Sequence, residues 1–339
     1  MFARVLAAIV VVLVAAALAV LAWPQLIGLE QADGIAQVVA LRGAAAGIAL
    51  LAAVVLTLLA LLARPVRGFF AALAVLALAF AGTNAAVLLA RGAFGEAMPE
   101  ADADTVTVLA WNTLGETPSA ATIAGVIADA GADAVSLPET GYDRGKEIVD
   151  LLARDGIDMQ QFTFAYDTIA KADSTTLLVS TALGEYTADT STPTTSVRPS
   201  LVATPVDGDG PVIAAVHSAR PDAEHRDDWG ADLRWIAELC ANPGVIVAGD
   251  VNSTIDHWAG LADPAVPGAR IGDCADAAEQ AGSGGIGTWP TSVPELLGTP
   301  IDHVLTGAGW TATGFRVIGS QDGSGSDHRP VVARLVPAA

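Results

Sequence analysis

Polar side chains that could bind a metal ion or move protons recur in this sequence where apolar runs end. The positions are Asn112, Glu139, His217, Asp250, Asn252, Asp302, Asp327 and His328. Carboxylates and amides offer hard oxygen ligands to divalent cations, and histidine moves protons near neutral pH. A lone asparagine or aspartate after a strand is usually an ordinary loop residue, but this repetition favours one shared site.

The elements that would position these residues are short apolar strands with few helices between them. Strands are predicted over 105–110, 134–137, 175–180, 200–204, 212–216, 245–248, 301–305 and 330–335, and helices over 119–130 and 227–240. This alternation predicts a sheet-on-sheet core flanked by helices. Strand ends in layered folds meet at one edge, where loops build sites on rigid supports. We therefore expect the polar positions to converge.

Composition divides the chain of 339 residues into an apolar N-terminal part and a part of ordinary soluble composition. We predict a membrane anchor over 1–95, an acidic linker over 96–104 and a catalytic domain over 105–339. The last 239 residues carry a net charge of −21. Such a field repels anionic polymers, whereas nucleic-acid binders usually present a basic face. Nucleic acid is therefore a disfavoured partner, although a bound metal ion could still recruit phosphate locally.

Three apolar stretches, 5–23, 44–63 and 69–90, are long enough to cross a bilayer as helices, which takes about 20 residues. A cleaved signal peptide would explain only the first of them. The lipid bilayer is thus the predicted partner of this region, and no obligate protein partner is expected. Deep in the stretches there is no acidic or histidine residue of the kind that marks a transport path, so they are predicted to act as an anchor.

The orientation of the anchor follows from basic residues in its short loops. Arg4 precedes the first stretch, Arg64 and Arg67 separate the second from the third, and residues 24–41 contain no Lys or Arg. This pattern predicts a multi-pass protein of the cytoplasmic membrane with the catalytic domain outside the cytoplasm. Arg91 argues against that orientation, and Arg42 is expected to extend towards the interface.

Two cysteines, Cys240 and Cys274, leave two alternatives open. They are too few for a disulfide framework and lack metal-site spacing. One bridge between them would suit an exported domain, and two separately buried thiols would suit a reducing compartment.

The polar positions belong to motifs in a fixed order. These are Ala110-Trp-Asn-Thr113, Leu137-Pro-Glu139, His217-Ser-Ala-Arg-Pro221, Gly249-Asp-Val-Asn252, Ile301-Asp-His303 and Gly325-Ser-Asp-His-Arg-Pro330. In this order they resemble the endonuclease/exonuclease/phosphatase superfamily, which includes pancreatic-type deoxyribonucleases, neutral sphingomyelinases and inositol polyphosphate 5-phosphatases. The resemblance covers residues 105–336. It implies an α/β (α+β) fold, a four-layered α-β-β-α sandwich of deoxyribonuclease type, here preceded by three transmembrane helices.

The resemblance also implies a metal centre. Glu139 would be the main ligand, Asn112 would assist, and Asp327 would contact the metal region. The implied cofactor is Mg²⁺, with Mn²⁺ or Ca²⁺ as alternatives, since oxygen ligands suit these hard cations. Many members have Gln before the metal-binding Glu and an aromatic residue inside the Gly-Asp-x-Asn motif, where this chain has Pro138 and Val251. Neither difference removes a ligand.

The implied catalytic roles fall on the remaining positions. His328 would be the general base, oriented by Asp302, because a carboxylate fixes the tautomer of a histidine. Asp250 and Asn252 would position the nucleophile and a phosphate oxygen. His217 would donate to a phosphoryl oxygen, with Asp143 as a candidate acidic partner.

Three functions remain open at this point. The first is a membrane-anchored, Mg²⁺-dependent phosphodiesterase or phosphatase acting on a lipid head group or a small phosphoester. The second is an exported nuclease acting on DNA or RNA. The third is an inactive, membrane-tethered binding domain, which would be expected to lack some of the site residues.

Overall fold

Helices alone make up the regular structure before residue 100. In the computed structural model, which describes residues 1–189 and 194–338, they are α1 (Phe2–Ala22), α2 (Ile35–Ala40), α3 (Arg42–Leu62) and α4 (Arg67–Ala90). Within the described residues, three helical stretches are long and apolar enough to cross a membrane, namely Phe2–Ala22, Arg42–Leu62 and Arg64–Ala90. They coincide with the three predicted spans. Small residues such as Ala22, Ala49 and Ala81 pack around Phe80 between them, which lets the helix backbones approach closely.

The remainder of the described chain forms two mixed sheets of six strands each. In chain order the strands are β1 (Val106–Ala110), β2 (Ala134–Pro138), β3 (Met159–Ala165), β4 (Ser174–Ser180), β5 (Tyr186–Ala188), β6 (Leu201–Pro205), β7 (Val212–His217), β8 (Val245–Asp250), β9 (Ala275–Asp276), β10 (Asp302–Thr306), β11 (Trp310–Val317) and β12 (Val331–Pro337). The first sheet has the order β11-β12-β1-β2-β4-β3 and the second has the order β5-β6-β7-β8-β10-β9. The helices between them are α5 (Ala120–Ala130), α6 (Tyr142–Arg154), α7 (Arg226–Leu239) and α8 (Ala277–Gln280).

The central strands are apolar throughout because both of their faces are buried. In β8, Ile246 and Ala248 point into the core between the two sheets, while Val245 and Val247 pack with residues of α7 on the outer face. The outer face of the first sheet is covered in the same way by α5 and α6. The layers are therefore helix, sheet, sheet and helix, and the predicted four-layered α-β-β-α sandwich is confirmed.

Several elements were absent from the sequence prediction. Helix α6 and strands β3, β5 and β11 are the main ones, and β3, β5 and β11 lie at the edges of the sheets. An edge strand buries less of its side chains, so its apolar pattern is weaker.

Cys240 and Cys274 form a disulfide that links the end of α7 to the residue before β9. This pairing decides between the two alternatives for the thiols. The predicted end of the catalytic domain, residue 339, lies outside the described residues.

Candidate active site

Three site residues form one row across the second sheet. Strands β7 and β8 are parallel with His217 opposite Asp250, and β8 and β10 are antiparallel with Asp302 opposite the same Asp250. Gly249 permits this arrangement, since its φ is +146° and a Cβ there would lie 2.0 Å from the carbonyl oxygen of Val216. Asp250 is therefore the centre of the site, with a histidine on one side and a carboxylate on the other.

The first sheet contributes residues at the same end of the sandwich. Strands β1 and β2 are parallel, and Asn112 and Glu139 follow their carboxyl ends. Strand β12 is antiparallel to β1, with Ala110 opposite Val331, so Asp327 and His328 at the start of β12 lie beside the end of β1. The topology thus brings distant parts of the chain to one edge.

Asn112 connects the two sheets. Its Nδ2 donates to Oδ2 of Asp250 at 3.0 Å and to Oε1 of Glu139 at 3.2 Å. Its Oδ1 accepts from the backbone N–H of Leu114 at 2.9 Å. In this arrangement Asn112 holds two carboxylates together through its nitrogen, and it could ligate a metal through its oxygen only if the amide turned over.

His328 is held by Asp302. Nδ1 of His328 lies 2.9 Å from Oδ2 of Asp302, and a hydrogen bond there leaves Nε2 directed at Asp250 and Asp327, at 3.8 and 3.9 Å. The backbone carbonyl of His328 accepts from Nε1 of Trp111 at 2.9 Å. Asp302 itself is fixed by Thr288, whose Oγ1 accepts from its backbone N–H. The imidazole therefore has a defined tautomer and a defined direction.

The pKa values of the two site histidines are shifted in opposite directions. Burial lowers the pKa of His328, but the adjacent carboxylates of Asp302 and Asp250 outweigh that effect and raise it well above its usual range. Burial, together with the positive charges of Arg198 and His328, lowers the pKa of His217 to about 3. His217 is thus a neutral imidazole at physiological pH, whereas His328 readily carries a proton.

His217 directs Nε2 towards the cleft. That atom lies 3.7 Å from Oδ2 of Asp250 and 3.9 Å from Oε1 of Glu139, and within the described residues the buried Nδ1 has no hydrogen-bond partner. A neutral imidazole with its hydrogen on Nε2 fits both observations, since a buried N–H without an acceptor is costly. The acidic partner suggested for His217, Asp143, is instead exposed in the first turn of α6.

Glu139 and Asn252 occupy backbone conformations that are uncommon for residues other than glycine. Their φ angles are 62° and 49°. The backbone N–H of Glu139 donates to the carbonyl of Ser174 at 2.8 Å, and Nδ2 of Asn252 donates to the carbonyl of Ser218 at 2.9 Å. Strained backbone that the surrounding structure enforces is concentrated at functional sites.

The site contains four carboxylates, whose negative charge favours the binding of a cation. They belong to Glu139, Asp250, Asp302 and Asp327. Burial raises the pKa of Asp250, with the nearby Asp302 carboxylate acting in the same direction. Oδ1 of Asp327 is buried and has no hydrogen-bond partner among the described residues, while its Oδ2 accepts from Nε1 of Trp289 at 2.8 Å. Asp250, Asp302 and His328 also lie close enough for one ion to contact all three. The donor set is therefore compatible with a divalent cation.

A cleft of about 510 Å³ exposes this cluster. Of the eight sequence-predicted residues, all but Asp302 line the cleft, and Asp302 lies behind His328. Arg198 also lines the cleft and pairs with Asp173.

Sequence reasoning missed one wall of the cleft. Gln37, Ala40 and Leu41 form this wall, and they come from the segment between the first two spans. Nothing in the composition of that segment indicates such a position.

Comparison with known sequences identifies the family. The profile of the Endonuclease/Exonuclease/phosphatase family matches residues 109–328, which is well over half of the chain. The protein therefore belongs to this family, whose members are phosphoester hydrolases. No curated protein sequence matches the chain significantly.

Solved structures share the fold. Humanized D. rerio TDP2 is similar with a TM-score of 0.51 and 19% identity, over 69% of this chain and 99% of that one. An endonuclease/exonuclease/phosphatase from Beutenbergia cavernae has a TM-score of 0.50 and 20% identity, over 70% and 72% of the two chains. A mannosyl-6-phosphatase from Bacteroides thetaiotaomicron has a TM-score of 0.48 and 15% identity, over 68% and 99%. For the first two structures, the likeness at these identities is one of fold.

Proposed function

We propose that the protein is a membrane-anchored, divalent-metal-dependent phosphoester hydrolase, with residues 1–95 as the anchor and residues 105–339 as the catalytic domain. The observation that carries the proposal is the convergence of a carboxylate-bound histidine, a neutral histidine and a cluster of carboxylates in one cleft. Hydrolysis at phosphorus needs an activated water, charge neutralisation on the phosphoryl oxygens and assistance to the leaving oxygen.

His328 is the proposed general base. A divalent cation bound among the neighbouring carboxylates would offset their charge and lower the pKa of His328, so that its imidazole could be neutral before the reaction. The hydrogen bond to Asp302 occupies Nδ1, so Nε2 is the atom that takes a proton from the attacking water. Asp250 lies 3.8 Å from that nitrogen and stabilises the imidazolium that results. Asn252, whose Nδ2 also donates to Asp250 at 3.2 Å, helps to position the nucleophile. Neutral His217 donates through Nε2 to a phosphoryl oxygen without adding a permanent charge.

The metal would be held by Glu139 with Asp327, and by Asn112 if its amide turns over. When bound, a divalent cation such as Mg²⁺, or Mn²⁺ or Ca²⁺ in its place, supplies positive charge that offsets the phosphate oxygens. We favour Glu139 over the set of Asp250, Asp302 and His328, because Nδ1 of His328 is engaged with Asp302 and its Nε2 is the proposed proton acceptor, which leaves neither nitrogen for a metal. The unpartnered Oδ1 of Asp327 supports the same choice.

We place the catalytic domain outside the cytoplasm. Arg64 and Arg67 lie between the second and third spans. Loops on the cytoplasmic side usually contain an excess of basic residues, so these arginines support this orientation. Arg42 and Arg91 lie on the other side, and Arg4, Arg64 and Arg67 outnumber them. The disulfide between Cys240 and Cys274 supports an oxidising compartment as well.

The test uses the purified full-length chain in detergent with bis-p-nitrophenyl phosphate. We expect turnover that EDTA abolishes and Mg²⁺ restores, and that falls by roughly 10²–10⁴-fold in His328→Ala. Glu139→Gln should have little turnover, and added Mg²⁺ should not restore it. Asp150 is an exposed carboxylate on α6, and Asp150→Asn should behave as wild type. Metal-independent turnover, or full activity of His328→Ala, would refute the proposal.

A plasmid-nicking assay at low salt separates this function from that of a nuclease. The net charge of −21 over the last 239 residues disfavours a polyanionic substrate. We therefore expect slow nicking at most. Nicking that is much faster than turnover of small diesters would assign the site to nucleic acid instead.

A further inference from the structure

The segment between the first two spans, residues 23–41, lies on the catalytic domain and is referred to below as the interspan segment. Nε2 of Gln31 donates to the carbonyl of His257 at 2.8 Å, and Nε2 of His257 lies 3.0 Å from the carbonyl of Ala36. Ala36 is buried in the core beside Trp229. Asp33 pairs with Arg226 at the start of α7. These contacts make the segment a part of the domain's surface.

A buried ion cluster joins the spans to the loop that follows the catalytic Asp250. Arg42 at the start of α3 and Arg91 at the end of α4 each donate two hydrogen bonds to the carboxylate of Asp256, at 2.7 to 2.9 Å. Nη1 of Arg42 also donates to Oδ1 of Asn84 and to the carbonyl of Ala22, at 2.8 and 3.1 Å. Two spans therefore bind Asp256 through their arginines, and the first span joins the same group through the contact between Ala22 and Arg42; we call this group the clamp.

The cleft lies beside the start of the second candidate span. Leu41 lines the cleft, and the next residue, Arg42, is the first of a span, so only about 4 Å of chain separates the two. Gln37 lines the cleft from the same segment, and its Nε2 donates to the carbonyl of Pro221, which also lines the cleft. A substrate that enters along this wall therefore passes directly from the level of the membrane interface to the catalytic side chains.

The neighbouring surface is apolar. The turn Glu295–Leu297 lies against α3 so closely that a Cβ on Gly43 would come within 1.8 Å of the carbonyl oxygen of Leu296. The side chains of Leu296 and Leu297 are nevertheless about two-fifths exposed, at 41% and 39%. Exposed leucines beside a transmembrane helix are typical of surfaces in contact with lipid.

We propose that the cleft takes its substrate from the bilayer, as a phosphoester head group on a membrane lipid, with Gln37 and Leu41 contacting the substrate and the clamp setting the height of the cleft. This inference rests on the proposed hydrolase function and names the substrate class of that same site. Soluble phosphoesters with the same head group fit the catalytic side chains equally well but make no contact with Gln37 and Leu41 of the interspan segment.

The experiment compares the same head group with and without acyl chains. The full-length chain in mixed detergent micelles is assayed on phosphatidylglycerol against glycerophosphoglycerol, and on phosphatidic acid against glycerol 3-phosphate. We expect kcat/KM for at least one micellar lipid to exceed that for its soluble counterpart by roughly tenfold or more, as the burial of a few methylene groups provides. Equal rates on both members of every pair, or hydrolysis of soluble esters with no lipid turned over, would overturn the inference.

Substitutions at Gln37 and Leu41 test whether these residues contact the lipid substrate. Leu41→Gln and Gln37→Ala should raise the KM for the micellar lipid several-fold more than the KM for bis-p-nitrophenyl phosphate. Val206→Gln, an exposed apolar residue after β6 at the opposite end of the sheet, is the matched control and should change neither. A parallel loss on lipid and soluble diester would contradict a role in lipid access. Absence of metal-dependent turnover of bis-p-nitrophenyl phosphate by wild type would instead count against the hydrolase proposal itself.

Discussion

Two buried aspartates six residues apart, Asp250 at the end of β8 and Asp256 in the loop that follows, behave in opposite ways. Asp250 is buried next to another carboxylate, and its pKa is raised. Asp256 is equally buried, but two arginines donate to it, and they outweigh the effect of burial and lower its pKa. A buried carboxylate with two cationic partners is structural, whereas one whose neighbours are carboxylates, an amide and histidines is suited to bind a cation or move protons. The following predictions test this distinction.

The largest effect is expected for Asp250→Asn. We expect kcat on bis-p-nitrophenyl phosphate to fall by roughly 10³-fold, because the imidazolium of His328 loses its stabilising charge. The thermal midpoint in EDTA should stay equal to that of wild type or rise, since a poorly compensated buried charge has been removed. Activity and thermal denaturation together check the prediction. A large loss of stability would show that Asp250 is structural like Asp256.

Asp256→Asn should do the reverse. It leaves Arg42 and Arg91 at a largely buried site without a counter-charge, which costs about 3–5 kcal/mol in the free energy of unfolding. Urea unfolding followed by tryptophan fluorescence measures this. Asp150→Asn, which removes an exposed pair with Lys146, is the control and should cost under about 1 kcal/mol.

The clamp also predicts how stability depends on pH. The pKa of Asp256 is lower in the folded than in the unfolded state, so its contribution is fully present above the unfolded value of about 4 and is lost as pH falls below it. The stability difference between wild type and Asp256→Asn should therefore be constant from neutral pH down to about pH 5 and shrink below pH 4. A difference that grows on acidification would contradict the assignment.

Mg²⁺ should distinguish the clamp from the proposed metal site. After EDTA treatment, Mg²⁺ at about 100 times its Kd should stabilise wild type by about 2.7 kcal/mol. Asp256→Asn should keep this increment, because the clamp has no part in holding the ion, whereas Glu139→Gln should lose most of it. Thermal shift titrations measure the increment, and its disappearance in Asp256→Asn but not in Glu139→Gln would exchange the roles assigned to the two regions.

The smallest effect is expected for Arg91→Lys. The charge beside Asp256 remains, but the paired hydrogen bonds of the guanidinium are lost, which costs about 1 kcal/mol. Turnover of the soluble diester should not change. Arg42→Lys should cost more, since Arg42 is more deeply buried and also binds Asn84 and Ala22. The order of the two losses in urea unfolding is the measurement, and the opposite order would contradict the burial argument.

The central fold and the site could be predicted because their signals are local. Strands such as β8 are buried on both faces and appear as continuous apolar runs, and the motif residues follow these strands directly. Edge strands such as β11 have exposed positions and were missed. Helix α6 was missed as well, although Ile148 and Leu152, four residues apart, form its buried face.

The contacts between anchor and domain could not be predicted, since they join residues far apart in sequence. Arg42 pairs with a carboxylate 214 positions away, and nothing near either residue indicates the other. Arg42 was expected to extend to the interface, as a long basic side chain near a span end usually does. It is buried instead because Asp256 and Asn84 supply acceptors there. Long-range charge pairing overrides the local rule.

The clamp has a consequence for biogenesis. Its two arginines are made with the spans, and Asp256 follows Arg91 by 165 residues, on the order of ten to thirty seconds of synthesis. Until the loop after β8 has folded, both guanidinium groups need water or lipid phosphate around them, because a buried charge without a counter-ion is costly. In the proposed membrane-anchored arrangement, the three helices would insert first and reach their final packing only after the domain that carries Asp256 has folded. Assembly would then end at the membrane surface, with a carboxylate made late in synthesis.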